Sequence, residues 1–222
     1  MIVLIITAVR VKSMDSHRIS GRILAENIAG PGMMRLVEQS MQAQAQKTSV
    51  TEIAVKEWKH PQAALTFDDG PDIRYTPLLL DGLKERNVRA SFFLLGEKVE
   101  QYPELVERMQ KEGHLVGNHT YHHVQLNKLN ETKAREEILK TNNLIYETTG
   151  VYPLYLRPPF GAWKKNLELC VEMLPVFWTI DTLDWKVQNT EKIVHTVQEQ
   201  IEDGAIILMH DEYDTSVEAA LQ

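Results

Sequence analysis

Leu65-Thr66-Phe67-Asp68-Asp69-Gly70-Pro71 is the stretch on which the reading of this sequence turns. A short apolar run that fits a buried strand delivers two adjacent carboxylates into a turn at Gly70 and Pro71, where a sheet ends and binding groups collect. Two like charges side by side are costly to bury. A metal ion, a cationic side chain or a shared proton has to offset the repulsion. Taken alone, the segment reads as a solvated Asp-Asp-Gly turn, so its meaning depends on what the rest of the chain supplies.

A length of 222 residues suits one sizeable α/β domain, and 43% hydrophobic with 25% charged residues is the composition of a folded protein. Lys and Arg number 24 against 31 Asp and Glu, a net charge of −7 with no basic run, which argues against nucleic acid as a partner. Cys170 is the only cysteine, so any metal must be held by histidine and carboxylate rather than by a cysteine cage. Met1 to Val9 is apolar but far shorter than the roughly 20 residues of a transmembrane helix, and no basic residue precedes it. It reads equally as a remnant signal or anchor and as a buried segment. No integral membrane span is expected.

Residues 1–60 read as a helical or partly disordered lead-in, with helices broken at Gly30-Pro31-Gly32 and a Gln-rich end near Gln46. From residue 61 to 222 the pattern becomes regular. Strand-like runs at Ala63–Phe67, Ala90–Leu95, His114–Gly117, Leu154–Arg157, Val176–Ile180 and Ala205–Met209 alternate with helix-like segments at Thr76–Arg86, Lys98–Lys111, Glu131–Thr148, Lys164–Met173 and Thr190–Glu202. Such alternation predicts a parallel sheet or barrel, whose ligands sit at the carboxyl ends of the strands.

Four further polar clusters each follow one of these runs. In Asn118-His119-Thr120-Tyr121-His122-His123, a helical turn opening at His119 would set His123 four residues along the same face, able to share one metal ion; His122 is the alternative at three residues. Asp69 fits as the third ligand of a site left open for water and substrate. Arg157-Pro158-Pro159-Phe160-Gly161 is a stiff loop whose arginine offers a planar fork to a carboxylate, or simply a surface charge. In Asp181-Thr182-Leu183-Asp184-Trp185, Asp184 can orient a histidine and Trp185 can wall an apolar pocket or stack on a sugar. Leu208-Met209-His210 ends the last strand with a candidate general acid or base.

Together with Thr66-Phe67-Asp68-Asp69-Gly70, these blocks closely resemble, in order, the five motifs of the polysaccharide deacetylases, the carbohydrate esterase family with the chitooligosaccharide deacetylase (NodB homology) domain. The likeness runs from about residue 61 to the end and includes Ala90 to Leu94 and Glu112 to His119. It implies an α/β fold, a distorted (β/α) barrel of about six or seven parallel strands. It also implies a metal-dependent hydrolase of N-acetyl groups on N-acetylglucosamine polymers or oligomers, and an extracellular or cell-wall location in a bacterium. By resemblance, Asp68 is the base, a metal-activated water the nucleophile and His210 the acid. Asp69, His119 and His123 hold zinc, or alternatively cobalt. Arg157 orients Asp68, and Asp184 orients His210. Trp185 and Leu208 line a slot for the acetyl methyl, and a backbone N–H near Phe160 serves the oxyanion.

Two departures stand out. Phe160 occupies a position where many family members carry tyrosine. Only the start of a helix, Ser216 to Leu221, follows the fifth block, where the family has a helix and a further strand. The last helix and strand are therefore expected to be missing, leaving an open barrel edge beside the His210 strand that a second copy can cover. The competing readings are a glycan-binding domain without turnover, an amidase for small cyclic amides or ureides, and a purely structural domain.

Overall fold

A computed structural model of the protein describes residues 61–163, 171 and 173–222. The expected lead-in over 1–60 lies outside the described residues, and so does nearly all of the helix expected over Lys164–Met173.

In chain order the described elements are β1 (Ala63–Asp68), α1 (Tyr75–Glu85), β2 (Ser91–Leu94), α2 (Gly96–Gln101), α3 (Pro103–Lys111), β3 (Leu115–Asn118), α4 (Glu131–Thr149), β4 (Tyr155–Leu156), β5 (Leu174–Pro175), β6 (Ile180–Asp181), α5 (Asp184–Val187), α6 (Thr190–Gln200), β7 (Ala205–His210) and α7 (Asp214–Ala220). The strands form one seven-stranded sheet in the order β5-β4-β3-β2-β1-β7-β6. Every pairing is parallel, as expected where helices carry the chain back between strands. The sheet curls into a distorted barrel, and among the described residues the circle is left open between β5 and β6.

The expected open edge beside the His210 strand is not found. β7 is interior, paired with β1 from Ala63↔Ala205 to Asp68↔His210 and with β6 at Asp181↔Leu208. The C-terminal helix starts two residues before the expected Ser216 and packs down. Val217 is buried in the main core, the Leu221 side chain fills the space over Gly82, and the Leu221 carbonyl accepts from Arg86 Nε at 2.8 Å.

Most element types match the hydrophobic pattern, and the differences have local causes. The expected helix Lys98–Lys111 is two helices, because Tyr102 leaves the helical region just before Pro103, which has no N–H to continue the ladder. The expected strand Val176–Ile180 keeps only its end as β6, and another two-residue strand, β5, precedes it. α4 runs from an Asn130 cap, whose side chain accepts the Lys133 N–H, to Gly150 at φ 71°. Among the described residues no helix is long and apolar enough to cross a membrane.

The main core lies between the sheet and α1, α3 and α6, with one buried residue each from α2, α4 and α7, and Phe67 stacks on Phe92 with centroids 5.3 Å apart. β2 is buried at all four positions, which suits the apolar run Phe92-Phe93-Leu94 that follows its buried Ser91. Phe92→Ala is expected to lower stability by about 3–5 kcal/mol through lost burial and the cavity left behind, measured as a shift of the urea unfolding midpoint with an unchanged slope.

Candidate active site

β1 and β7 run in register, so their last residues, Asp68 and His210, stand side by side. β3 and β4 pair at Asn118↔Leu156, which puts His119 and Arg157 together on the next rung, where the Arg157 N–H donates to the Asn118 carbonyl at 2.9 Å. The five polar clusters thus meet at one end of the sheet. A cavity of about 470 Å³ opens there, lined by eight of the ten sequence-predicted site residues. The other two, Arg157 and Asp184, are fully buried beside it.

Arg157 reads from sequence as a possible surface residue. Instead it is the largest fully buried side chain among the described residues, at 0% exposure. Its Nη1 donates to Asp68 Oδ1 and to Thr66 Oγ1, both at 2.7 Å, and its guanidinium lies 4.2 Å from the centre of the Phe93 ring. Burial pushes the Asp68 carboxyl above the ordinary range, opposed by the Arg157 charge and hydrogen bond and by the His210 and His123 charges. A raised but still paired carboxylate is a stronger base than a free one.

His119 and His123 converge without the helical turn expected from their spacing. Thr120 (φ 67°) and His123 (φ 54°) are left-handed, and the loop is shaped by side chains instead. Asn118 Oδ1 accepts the Thr120 N–H at 2.7 Å, and Glu137 of α4 accepts the N–H groups of Tyr121 and His122 at 3.0 and 2.9 Å. Glu137 also takes the His122 ring at 2.7 Å, turning that histidine away from the cavity. His123, not His122, therefore faces Asp69.

Asp69 Oδ1 lies 3.4 Å from His119 Nε2 and 3.5 Å from His123 Nε2, and it is a buried acceptor with no hydrogen-bond partner among the described residues. One ligand atom from each of the three lies within 4.8 Å of the others. His119 Nδ1 is 2.6 Å from the Arg157 carbonyl, an acceptor only, so Nδ1 carries the proton and Nε2 presents its lone pair to Asp69. Burial pushes the His119 pKa down to about 3, against the Asp69 charge, which keeps the ring neutral. Two imidazole nitrogens and one orphaned carboxylate oxygen are a donor set that fits a divalent ion such as zinc or cobalt.

Across the cavity, His210 Nδ1 pairs with Asp184 Oδ1 at 2.8 Å, while Asp184 Oδ2 accepts the His210 N–H at 2.7 Å and the Ser216 hydroxyl at 2.6 Å. Burial disfavours the imidazolium, but the Asp184 hydrogen bond and the charges of Asp184, Asp69 and Asp68 outweigh it and raise His210 to about 9. Burial likewise opposes the Asp184 carboxylate, and the bonds to His210 and Ser216 still hold its pKa below the usual value. His210 Nε2 faces the cavity 3.8 Å from Asp69 Oδ2.

Phe160 is 62% exposed and Trp185 49% exposed at the rim, and Leu208 is buried in the wall. Sequence reasoning missed four lining residues, Trp178, Asp181, Leu183 and Tyr213. Each lies within three residues of a strand end or of a chosen motif residue, which is the only signal that marked them. Asp69, Thr120, His123, Phe160 and Leu183 all have φ between 52° and 69°. Left-handed backbone at such residues costs about 1–3 kcal/mol each and persists where surrounding contacts enforce it, typically at functional sites.

Residues 56–177 match the family model described as polysaccharide deacetylase. The chain is 44% identical over 152 residues to a peptidoglycan-N-acetylglucosamine deacetylase of Bacillus cereus, a match that covers 67% of this chain and 55% of that protein, about half its length. It is 37% identical over 153 residues to a chitooligosaccharide deacetylase of a Bradyrhizobium strain, covering 67% of this chain and 70% of the other. The solved structure of the peptidoglycan deacetylase PdaC from Bacillus subtilis superposes with a TM-score of 0.71 at 41% identity, over 73% of this chain and 81% of that one. With the five motifs gathered at one end of a parallel sheet and a family model matching over more than half of its length, the chain belongs to the polysaccharide deacetylase family.

Proposed function

We propose that this protein is a metal-dependent hydrolase that removes N-acetyl groups from N-acetylglucosamine residues of a cell-wall polysaccharide, peptidoglycan or a chitin-like oligomer. The observation that carries the reading is the meeting at one cavity of a two-histidine, one-carboxylate donor set with a buried Asp–Arg pair and a His–Asp pair whose aspartate is buried. The names of the relatives support the substrate class. In this reading residues 61–222 are the catalytic domain and residues 1–60 a lead-in, and the protein works outside the cell or at the wall of a bacterium.

Amide hydrolysis needs a water stripped of a proton, stabilisation of the oxyanion and a proton for the leaving nitrogen. Asp69, His119 and His123 hold the divalent ion, which when bound supplies a Lewis acid for the acetyl oxygen and lowers the pKa of water. Asp68 has Oδ1 committed to Arg157, so Oδ2 accepts the proton as the water oxygen bonds to the acetyl carbon. The C–N bond then breaks with its electron pair on nitrogen, and His210 Nε2 protonates the departing amine. Acetate and a free glucosamine amine are the products. Asp184 keeps the imidazolium oriented before transfer. The backbone N–H at Phe160 serves the oxyanion, so a phenylalanine there in place of tyrosine leaves this function intact. Leu208 and Trp185 form the slot for the methyl group, and the exposed Phe160 and Trp185 faces offer stacking surfaces to sugar rings.

Acetate release from N-acetylglucosamine oligomers and from peptidoglycan, by protein stripped of metal and reloaded with zinc or cobalt, tests the proposal. Activity should vanish on chelation and return with the ion; metal-replete protein that frees no acetate from any of these substrates would refute it. Asp68→Asn should lose about 10²- to 10⁴-fold in kcat, the range for a general base, while still binding one zinc by calorimetry. His123→Ala should abolish zinc binding in the same titration. His122→Ala should retain it, because His122 is engaged with Glu137.

A further inference from the structure

The strand that carries His210 continues into a carboxylate with no part in the scheme above. Asp211 is completely buried, and its Oδ1 has no hydrogen-bond partner among the described residues. Burial pushes its pKa up to about 7, and the nearby Glu212 charge adds to that, against the Thr76 hydrogen bond and the Lys98 charge. A buried carboxyl with one oxygen left unpaired is costly and calls for a compensating role.

Its position accounts for Gly70. Gly70 is not among the positive-φ residues, so the turn does not need glycine for its backbone angles. It needs glycine for space. A Cβ built on Gly70 would lie 2.3 Å from Asp211 Oδ1, 2.7 Å from Oδ2 and 2.9 Å from Cγ, distances that real Cβ atoms do not show. The carboxylate thus fills the hole left by the missing side chain. The same group is bolted to the far end of the turn: Thr76 Oγ1 donates to Asp211 Oδ2 and accepts the Asp72 N–H at 2.7 Å. The turn also meets the start of α2, where the Leu95 N–H donates to the Gly70 carbonyl at 3.2 Å and the Gly96 N–H donates to the Thr120 carbonyl at 2.9 Å. Asp69, at φ 69°, is held between these attachments.

Resting on the metal site proposed above, we propose that Asp211 is a positioning residue for Asp69: its buried carboxyl wedges against Gly70 and grips Thr76, locking the turn that carries the metal ligand to the strand that carries the acid His210. Shape and the Thr76 hydrogen bond do this work, and the charge does not. The conservative amide should therefore substitute for the carboxylate, whereas truncation should not.

Zinc affinity by calorimetry on the full chain, with circular dichroism to establish that each variant is folded, provides the test. Asp211→Asn should bind zinc within about threefold of wild type. Asp211→Ala should lose about 10- to 100-fold, the range seen when the supports of metal ligands are removed. Gly70→Ala should lose a similar factor in the wild-type background and much less when combined with Asp211→Gly, because the two side chains compete for one space. Should Asp211→Ala not fold, Thr76→Val, which removes only the hydroxyl, carries the test with an expected loss of several-fold. Unchanged zinc affinity in Asp211→Ala, or in Thr76→Val if the alanine variant does not fold, overturns the positioning role alone. So does an equal Gly70→Ala loss in both backgrounds. Absence of zinc binding by the wild type overturns the metal site itself, and the two failures are told apart by that control.

Discussion

The buried guanidinium of Arg157 is the constraint on which the site depends. A cation without solvent must be paired and hydrogen-bonded, and breaking such a pair by removing one partner costs about 3–5 kcal/mol. Arg157 meets the requirement with Asp68 and Thr66 on β1, with the Phe93 ring on β2, and with the carbonyls of Val176 and Phe177 at 3.4 and 3.5 Å. Its own carbonyl receives the His119 ring. One residue therefore sets the orientation of the proposed base and the tautomer of a proposed metal ligand. Every strand that contributes to that side of the cavity is tied to it.

Electrostatics divides the roles of two adjacent aspartates. Asp68 is buried against a permanent cation, which leaves one oxygen free and a pKa shifted upward by burial. Asp69 turns out of the strand through a left-handed residue and aims an unpaired oxygen at two imidazoles. The repulsion that makes Asp68-Asp69 costly is relieved for Asp68 by arginine, and in the proposed scheme for Asp69 by a cation shared with the two histidines. His210 faces both carboxylates and is braced from behind by Asp184, which explains its raised affinity for a proton. The left-handed residues around the cavity show the same economy. Loops bent against their preferences are kept in place by Asn118, Glu137 and the parallel register beneath them.

Much of the fold was legible in the residues because parallel strands and their helices carry strong periodic signals. Ala63 to Phe67 and Ala205 to Met209 read as buried strands, and both are central. The short outer strands were less legible: with two residues each, β4, β5 and β6 depend on neighbours more than on their own sequence. The break at Tyr102 is marked in the sequence by Pro103, against the otherwise continuous helical pattern from Lys98 to Lys111. The open edge expected beside β7 failed for a topological reason, since strand order is not a property of any single segment: β7 inserts between β1 and β6.

The sequence by itself determined the chemistry available. Its five ordered blocks name the carboxylates, the histidines, an arginine and an aromatic wall, because side-chain type is local information. Tertiary structure alone decided where they stand and what they touch. It placed Arg157 in the interior rather than in solvent, and it chose His123 over His122 by giving Glu137 to the latter. It also brought Asp211 beneath Gly70 from the far end of the chain. These outcomes depend on strand register and loop path, which arise from contacts between residues far apart in sequence, and no local pattern encodes them.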